Sequence, residues 1–221
     1  MYNRAMLLLV AALMSTAVIE EPDLTALVDR IEHHYDALTG FQADFTQSYE
    51  RRLIRKTIVE SGRVTVKKPG RMRWEYLSPE AKLFVTDGSR SYFYIPMEKQ
   101  VMVSHNPQGA MGLEKGSPFE LLAGGSRLSE SFTFFRSSTE PARGGVMLRL
   151  VPNAHHEEFD EVEVEVDPQS GELLRVLLMD AQRNRTVFTF DNLRRDTEIP
   201  ESLFRFTIPS GVEVVVHSDD P

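Results

Sequence analysis

The sequence predicts a mainly β protein in which one strongly curved antiparallel sheet is covered by two helices. About ten consecutive segments alternate apolar and polar residues between turn residues, and helical signals occur at 23–39 and 117–124. Many short strands with few helices are typical of a barrel or half-barrel. No linker or shift in composition divides the chain, so residues 18–221 are expected to form a single domain.

The first helix is predicted over 23–39. Asp23 is a suitable N-cap, and Gly40 follows as a stop signal. The apolar residues between them recur at helical spacing and are Leu24, Leu27, Val28, Ile31, Tyr35 and Leu38. Such a stripe indicates a helix that packs on the core of its own domain.

Strands of period two follow this helix. They are predicted at 41–50, 58–66, 72–76, 83–86, 91–95 and 100–104. Gly62 marks a bulge or bend in the second strand, and the third places Met72, Trp74 and Tyr76 on one face. The stretch 67–103 carries more large apolar side chains than a sheet with one solvated face needs. This excess indicates an apolar binding surface.

A short second helix is predicted at 117–124. Ser117 suits the N-cap, Pro118 suits the first helical position, and Glu120 completes a capping box. A helix of about two turns is not stable by itself, so it must lie against an apolar surface. Its apolar side chains are Phe119, Leu121 and Leu122.

The remaining strands lie in the second half of the chain. They are predicted at 132–137, 145–151, 159–167, 172–180, 186–193, 204–206 and 212–216. In Glu161–Val166 glutamates alternate with valines, so the glutamates are expected to face water and the valines the core. The stretch 176–179 is apolar on both faces, which indicates cover on both sides.

The first seventeen residues have the pattern of a cleavable secretory signal peptide. Arg4 lies beside an apolar run at 5–18 that is too short to span a bilayer, and 15–17 is a small-residue cleavage site. The chain has no cysteine, so it forms no disulfide and has no cysteine to be lipidated. We therefore expect an exported protein that is not anchored in a membrane.

Two basic clusters contrast with the formal net charge of −8, which disfavours general binding of nucleic acid or anionic membranes. The first consists of Arg51, Arg52, Arg55 and Lys56. The second consists of Lys67, Lys68, Arg71 and Arg73. Each is either a set of solvated loop charges or a docking edge for a partner or for lipid headgroups.

Motifs for catalysis or for nucleotide binding are not recognisable in the sequence. The run 155–158, His-His-Glu-Glu, is interpreted as a solvated turn rather than a metal site. The sequence thus predicts no catalytic residue, no metal and no cofactor, and favours a binding protein over an enzyme.

Taken in order, these motifs resemble the periplasmic outer-membrane lipoprotein carrier family of the LolA type. The matching segments are 41–47, 62–76 with Lys-Lys-Pro-Gly at 67–70, 79, 83–88, 92–96, 100–101, 117–119 and 206–212. The resemblance extends from about residue 24 to residue 216.

This resemblance implies an unclosed antiparallel β-barrel of about ten to eleven strands, covered by short α-helices and enclosing a cavity for lipoprotein acyl chains. It implies a monomeric periplasmic carrier that receives cargo from an inner-membrane ABC transporter and passes it to an outer-membrane lipoprotein acceptor. The helix at 117–124 would be the lid.

The residues expected to line the acyl cavity are Phe45, Met72, Trp74, Val85, Phe119, Leu121 and Leu122. Where the family has an arginine that bonds lid carbonyls, this chain has Lys68. A lysine ammonium is a point charge that satisfies fewer carbonyls than a planar guanidinium, so Arg71 is a second candidate for the locking role.

Three alternatives remain open from the sequence. The chain could be a module of the same fold that senses lipid or lipoprotein in envelope-stress regulation. It could be a lipid hydrolase, although no Ser–His–Asp set can be nominated. It could also be a plain β domain with a filled core.

Overall fold

The computed structural model describes residues 23–105, 119–124, 127–154, 159–195 and 198–217. In these residues twelve strands form one sheet, and its two outermost strands do not pair with each other. The sheet is therefore the predicted unclosed barrel, with slightly more strands than expected. Three segments discussed above lie outside the described residues, namely 1–17, 117–118 and 155–158.

The strands are β1 (Gly40–Arg51), β2 (Lys56–Lys67), β3 (Arg71–Ser78), β4 (Lys82–Thr86), β5 (Ser91–Ile95), β6 (Gln100–Ser104), β7 (Phe132–Arg136), β8 (Val146–Pro152), β9 (Glu161–Val166), β10 (Leu173–Met179), β11 (Arg185–Arg195) and β12 (Glu213–His217). The helices are α1 (Leu24–Asp36), α2 (Glu120–Ala123) and α3 (Leu128–Ser131). Strand neighbours follow the order β12-β6-β5-β4-β3-β2-β1-β11-β10-β9-β8-β7. The β12–β6 pair is parallel and the other described pairs are antiparallel.

The predicted first helix is confirmed as α1. The Asp23 side chain caps it by accepting the Ala26 backbone N–H at 3.2 Å. Its apolar stripe, including Leu27, Ile31 and Tyr35, is buried against one face of the sheet. We call this the inner face and the opposite one the outer face.

The turn between β9 and β10 holds α1 against the inner face. The Ser170 carbonyl oxygen lies 2.9 Å from Nδ1 of His34, whose pKa is lowered mainly by burial. A side chain at Gly171 would place its Cβ 2.5 Å from the Arg30 carbonyl oxygen. Only glycine permits this close approach of turn and helix.

The chain between β11 and β12 crosses the outer face instead of making a tight turn. Ile199 and Phe204 pack there with Val85 in a buried cluster, and Glu201–Phe204 is a 3₁₀ turn. The strand predicted at 204–206 is therefore wrong, because these residues lie across the strands of the sheet. The same crossover brings β12 beside β6 in the parallel direction.

Glu165 in β9 keeps the predicted alternation but does not face water. It is fully buried beneath the loop 137–145, whose backbone N–H groups bond its carboxylate at 2.6–3.2 Å, and Arg175 bonds it at 3.0 Å. The expectation that this glutamate faces water is wrong, because the loop covers the outer face here. Burial alone would raise its pKa, but the backbone donors and Arg175 lower it below the ordinary value.

Replacing this carboxylate should destabilise the fold strongly. We expect Glu165→Ala to lower the free energy of unfolding by about 3–5 kcal/mol, because Arg175 and the loop N–H groups are left without an acceptor. Urea unfolding measures the loss. Glu161→Ala is the matched control, since Glu161 lies on the same strand, is less buried and is 3.8 Å from Arg183. Its expected loss is below about 1 kcal/mol, and equal losses would contradict this account.

The same site predicts a dependence of stability on pH. The pKa of Glu165 is lower in the folded than in the unfolded chain, so its stabilisation is complete above the unfolded value of 4.5 and is lost as pH falls through the folded value. The gap in stability between the wild type and Glu165→Ala should therefore narrow on acidification. Urea unfolding at successively lower pH tests this, and a constant gap would be the contrary result.

Candidate functional site

The inner face is centred on Trp74, the only tryptophan of the chain. It is buried with an exposed fraction of 5%. Its ring centroid lies 5.0 Å from that of Phe45, 5.7 Å from Phe119, 5.8 Å from Phe188 and 6.2 Å from Phe190. Most of these contacts are edge-to-face, which stabilises aromatic pairs beyond the burial of their area.

Six of the seven residues predicted to line a cavity lie together in the buried cluster of the inner face. They are Phe45, Met72, Trp74, Phe119, Leu121 and Leu122. Phe188 and Phe190 also belong to this cluster and were not predicted, although their spacing places both on one face of a predicted strand. Only the pairing of β11 with β1 shows which face this is, because Phe190 lies opposite Phe45.

Val85 is the seventh residue, and the structure does not bring it to this cluster. It lies opposite Arg73, whereas its neighbour Phe84 lies opposite Trp74. Directly opposed residues share a face, so Phe84 is on the inner face and Val85 packs against the outer crossover. The expectation that Val85 lies in the inner cluster is therefore wrong, and its neighbour Phe84 lies there instead. Both positions are apolar, so the sequence did not show which of them faced inward.

Gly62 allows two aromatic side chains of the inner face to meet. The bend predicted at this residue corresponds to a register shift between Ser61 and Gly62 in the β2–β3 pair. A Cβ here would lie 1.8 Å from the Glu75 carbonyl oxygen and 3.0 Å from the Phe45 ring. Because residue 62 has no side chain, the ring centroids of Phe45 and Tyr76 can lie 5.0 Å apart.

The short helix α2 covers the cluster. Phe119, just before it, places its ring 5.0 Å from Phe188 as well as against Trp74. Leu122 borders a cavity of about 10 Å³ between the helices and the sheet. That volume is about the size of one water molecule. Around this small cavity, the described side chains of α1, α2 and the sheet are closely packed.

The turn between β2 and β3 binds both helices. The Lys68 ammonium donates to the carbonyl oxygen of Tyr35 in the last turn of α1, and the Lys68 backbone N–H donates to Thr39 at 2.9 Å. The Gly70 N–H donates to the carbonyl of Ala123 at the end of α2, at 3.0 Å. We call residues 67–70 the clamp turn.

Lys68 also packs closely on the residue that follows α2. A Cβ at Gly124 would lie 2.8 Å from Lys68 Cδ, and the Gly124 φ of +74° favours glycine. Burial lowers the pKa of the Lys68 ammonium, while Asp36 acts in the opposite direction. The side chain thus lies half-buried between the two helices.

Arg71 lies on the other face of the sheet and does not reach the helices. It bonds Glu201 in the outer crossover, as does Lys67, whose ammonium also donates to the Ile199 carbonyl at 2.8 Å. Arg73 donates to another carbonyl of the same crossover. The second basic cluster is therefore neither solvated nor an open docking edge, and Arg71 cannot share the position of Lys68.

The inner face becomes polar toward the opposite end of the sheet from the clamp turn. The Tyr76 hydroxyl donates to Gln47 Oε1 at 2.8 Å, and the Lys82 ammonium pairs with Glu60. Burial raises the pKa of the Tyr76 hydroxyl. We call these four residues the polar rim. They limit the apolar interior to the part of the sheet that lies under the helices.

Within the described ranges no group of three His, Asp or Glu side chains is placed to hold a metal ion. No helix in that part of the chain has the length and apolarity needed to cross a membrane.

Comparisons with known proteins agree with this geometry. The outer-membrane lipoprotein carrier protein of Cupriavidus pinatubonensis is 29% identical over 215 residues, covering 96% of this chain and 94% of the relative. The protein of the same name from Bordetella avium is 31% identical over 211 residues, covering 95% and 93%.

Among solved structures, an uncharacterized conserved protein from Thermus thermophilus has a TM-score of 0.54 at 17% identity, covering 87% of this chain and 98% of that one. This likeness shows a shared fold alone. The family model described as "Outer membrane lipoprotein carrier protein LolA" matches residues 36–207. The chain therefore belongs to the LolA family of outer-membrane lipoprotein carrier proteins.

Proposed function

We propose that this chain is a periplasmic carrier that binds lipoprotein acyl chains on the inner face of its sheet and moves them from the inner to the outer membrane. The observation that carries the proposal is the aromatic cluster around Trp74, against which Phe119 packs from the short cover helix. Where a single helical turn covers an apolar interior, a ligand can displace that turn and replace its side-chain contacts with the interior. Family membership supports lipoprotein as the cargo.

Reversible loading requires opposing free energies of similar size. Full burial of a C16 acyl chain gains about 12 kcal/mol, at ~0.8 kcal/mol per methylene. If the chain displaces α2, then Phe119, Leu121 and Leu122 lose their burial, which costs roughly 5–9 kcal/mol for the three side chains. The surplus of a few kcal/mol favours binding and still permits release to an acceptor.

The clamp turn is proposed to hold the unloaded carrier closed. Its contacts to the helices are single hydrogen bonds from Lys68 and Gly70 to backbone carbonyls. The neutral bond from Gly70 contributes about 1 kcal/mol net and the bond from the Lys68 ammonium about 1.5–3 kcal/mol, so an entering acyl chain can break both. Lys68 thus takes the locking position in this chain, and it reaches a carbonyl of α1 rather than one of α2.

We also propose that the protein is exported and that it has a donor and an acceptor as partners. Residues 1–17 would be removed as a signal peptide, and 18–221 would act as one monomeric carrier domain without a cofactor or catalysis. The donor would be an inner-membrane ABC transporter and the acceptor an outer-membrane lipoprotein. Membership in a carrier family and a sequence without cysteine support this scheme.

The unique tryptophan provides a direct test of acyl-chain binding. A fatty acid brominated in mid-chain quenches tryptophan only at contact distance. If the chain enters the inner face, Trp74 emission should fall on titration, and a diacylated lipopeptide should restore it by competition. Unchanged emission, or a lipopeptide without effect, would count against the carrier function.

Removing Phe119 should make the interior easier to enter. We expect Phe119→Ala to raise the affinity for the brominated fatty acid by at least about tenfold, because the ligand no longer displaces a buried ring. Val85→Ala is the matched control, since it removes buried apolar atoms from the outer cluster. It should lower thermal stability without changing affinity. Equal affinities of all three proteins would show that Phe119 is ordinary core.

Substitutions of the two adjacent lysines distinguish a locking role of the clamp turn from a general effect on stability. Lys68→Met keeps the aliphatic chain and removes the bond to α1, so affinity for the quencher should rise severalfold. Lys67→Met removes bonds to the outer crossover only. It should lower the free energy of unfolding by about 1 kcal/mol and leave quenching unchanged. The locking role of Lys68 is refuted if both variants quench alike.

A further inference from the structure

The hairpin between β1 and β2 ends in an exposed apolar tip. The chain there makes a 3₁₀ turn at Arg52–Ile54, followed by Arg55 in the left-handed region at φ 50°. Leu53 is 89% exposed and Ile54 57% exposed. Two adjacent aliphatic side chains in this position contribute nothing to the core, although water contact makes them unfavourable.

Basic residues surround this tip. Arg51, Arg52, Arg55 and Lys56 are all exposed. None of these four forms a salt bridge with a carboxylate in the described part of the chain.

A second hairpin adds to the charge. The turn between β10 and β11 lies alongside, because the Arg52 backbone N–H donates to Asn184 Oδ1 at 3.2 Å and Glu50 lies opposite Arg185. It contributes Arg183 and Arg185. The nearby carboxylates include Glu50, Asp160, Asp180 and Glu161, of which Asp180 bonds Asn184 and Glu161 lies 3.8 Å from Arg183.

The two tips together therefore carry a positive excess in a chain whose formal net charge is −8. Lipid headgroups of anionic phospholipids complement such a group of cations, and the interfacial layer below them accepts aliphatic side chains. A projecting tip without a groove or an aromatic anchor fits a deformable surface better than a protein pocket.

We propose that the tips of the β1–β2 and β10–β11 hairpins form a membrane-contact surface, at which the six cations bind anionic phospholipid headgroups and Leu53 and Ile54 enter the interfacial layer. The overall negative charge then keeps the rest of the molecule away from the membrane and orients it. This surface extends the proposed function, because it is where the carrier would contact a bilayer. Only its biological purpose rests on the proposed function; the membrane contact itself does not.

The location of this surface gives it a use in transfer. β1 has 12 residues and spans roughly 40 Å, and the clamp turn is at its other end. Gln47 and Tyr76 of the polar rim lie between the aromatic cluster and the tips. Contact through the tips would bring the rim end of the interior, rather than the helix clamp, next to the membrane.

Vesicle flotation tests the proposal with the full chain after signal removal. Wild-type protein should float with vesicles of equimolar phosphatidylcholine and phosphatidylglycerol and not with phosphatidylcholine alone. Added salt should weaken the binding, because exposed charges are screened. Replacing two arginines, in R51Q/R52Q, should lower partitioning by roughly thirtyfold, and L53D should lower it by at least about tenfold.

The hairpin between β5 and β6 supplies a matched control. Its 3₁₀ turn Pro96–Glu98 is followed by Lys99 with the same backbone angles as Arg55, and Met97 is 73% exposed. M97D should lower partitioning much less than L53D, because this turn has Lys99 beside Glu98 instead of a cluster of cations. If M97D weakens binding as much as L53D, or if wild-type protein binds neither vesicle, the membrane assignment is overturned and the tip is better explained as a contact for an acidic protein.

Quenching of Trp74 by the brominated fatty acid distinguishes this proposal from the function itself. The tip variants should retain full quenching, because the tips do not contribute to the inner-face cluster. Wild-type protein that floats with anionic vesicles but shows no quenching would contradict the carrier function and leave the membrane contact standing. Loss of quenching in the tip variants would instead contradict the claim that the hairpin tips and the inner-face cluster act independently.

Discussion

The clamp turn is the contact on which the covers of both sheet faces depend. A sheet that does not close exposes two faces, and in this chain both are apolar around β3 and β4. Lys67 and Lys68 are consecutive, and Lys67 bonds the outer crossover while Lys68 bonds α1. Gly70 adds the bond to α2. One short segment therefore contacts the outer cover and the two inner helices.

The outer and inner covers are held to the sheet by different kinds of contact. The outer crossover is held by Lys67, Arg71 and Arg73 and packs Phe204 into a small buried cluster. On the inner face, the part of the cover over Trp74 is the single helical turn α2, and Phe119 just before it packs against the Trp74 ring. The outer cover is thus fixed by charged side chains, whereas the part of the inner cover over Trp74 is fixed by aromatic contacts and by the backbone bond from Gly70 to Ala123.

The sequence by itself determined most of the elements of this fold. β5 and β6 occupy the residues predicted for them, and α1 begins after the predicted cap Asp23. Period, turn residues and caps are local properties, so they are visible in the sequence without the partner strand. The ordered motifs around Trp74 also pointed to the family, and six of the seven proposed cavity residues lie in one cluster.

What only the tertiary structure decided is which face of each strand meets which cover. Phe84 and Val85 are both apolar, and only the pairing of β4 with β3 places the first inside and the second outside. Glu165 alternates like its neighbours but is buried by a distant loop, and Arg71 bonds Glu201 on the outer face instead of a helix on the inner face. The sequence determined the spacing of side chains along each strand. Their surroundings depend on register and on segments far away in the chain, which no local pattern encodes.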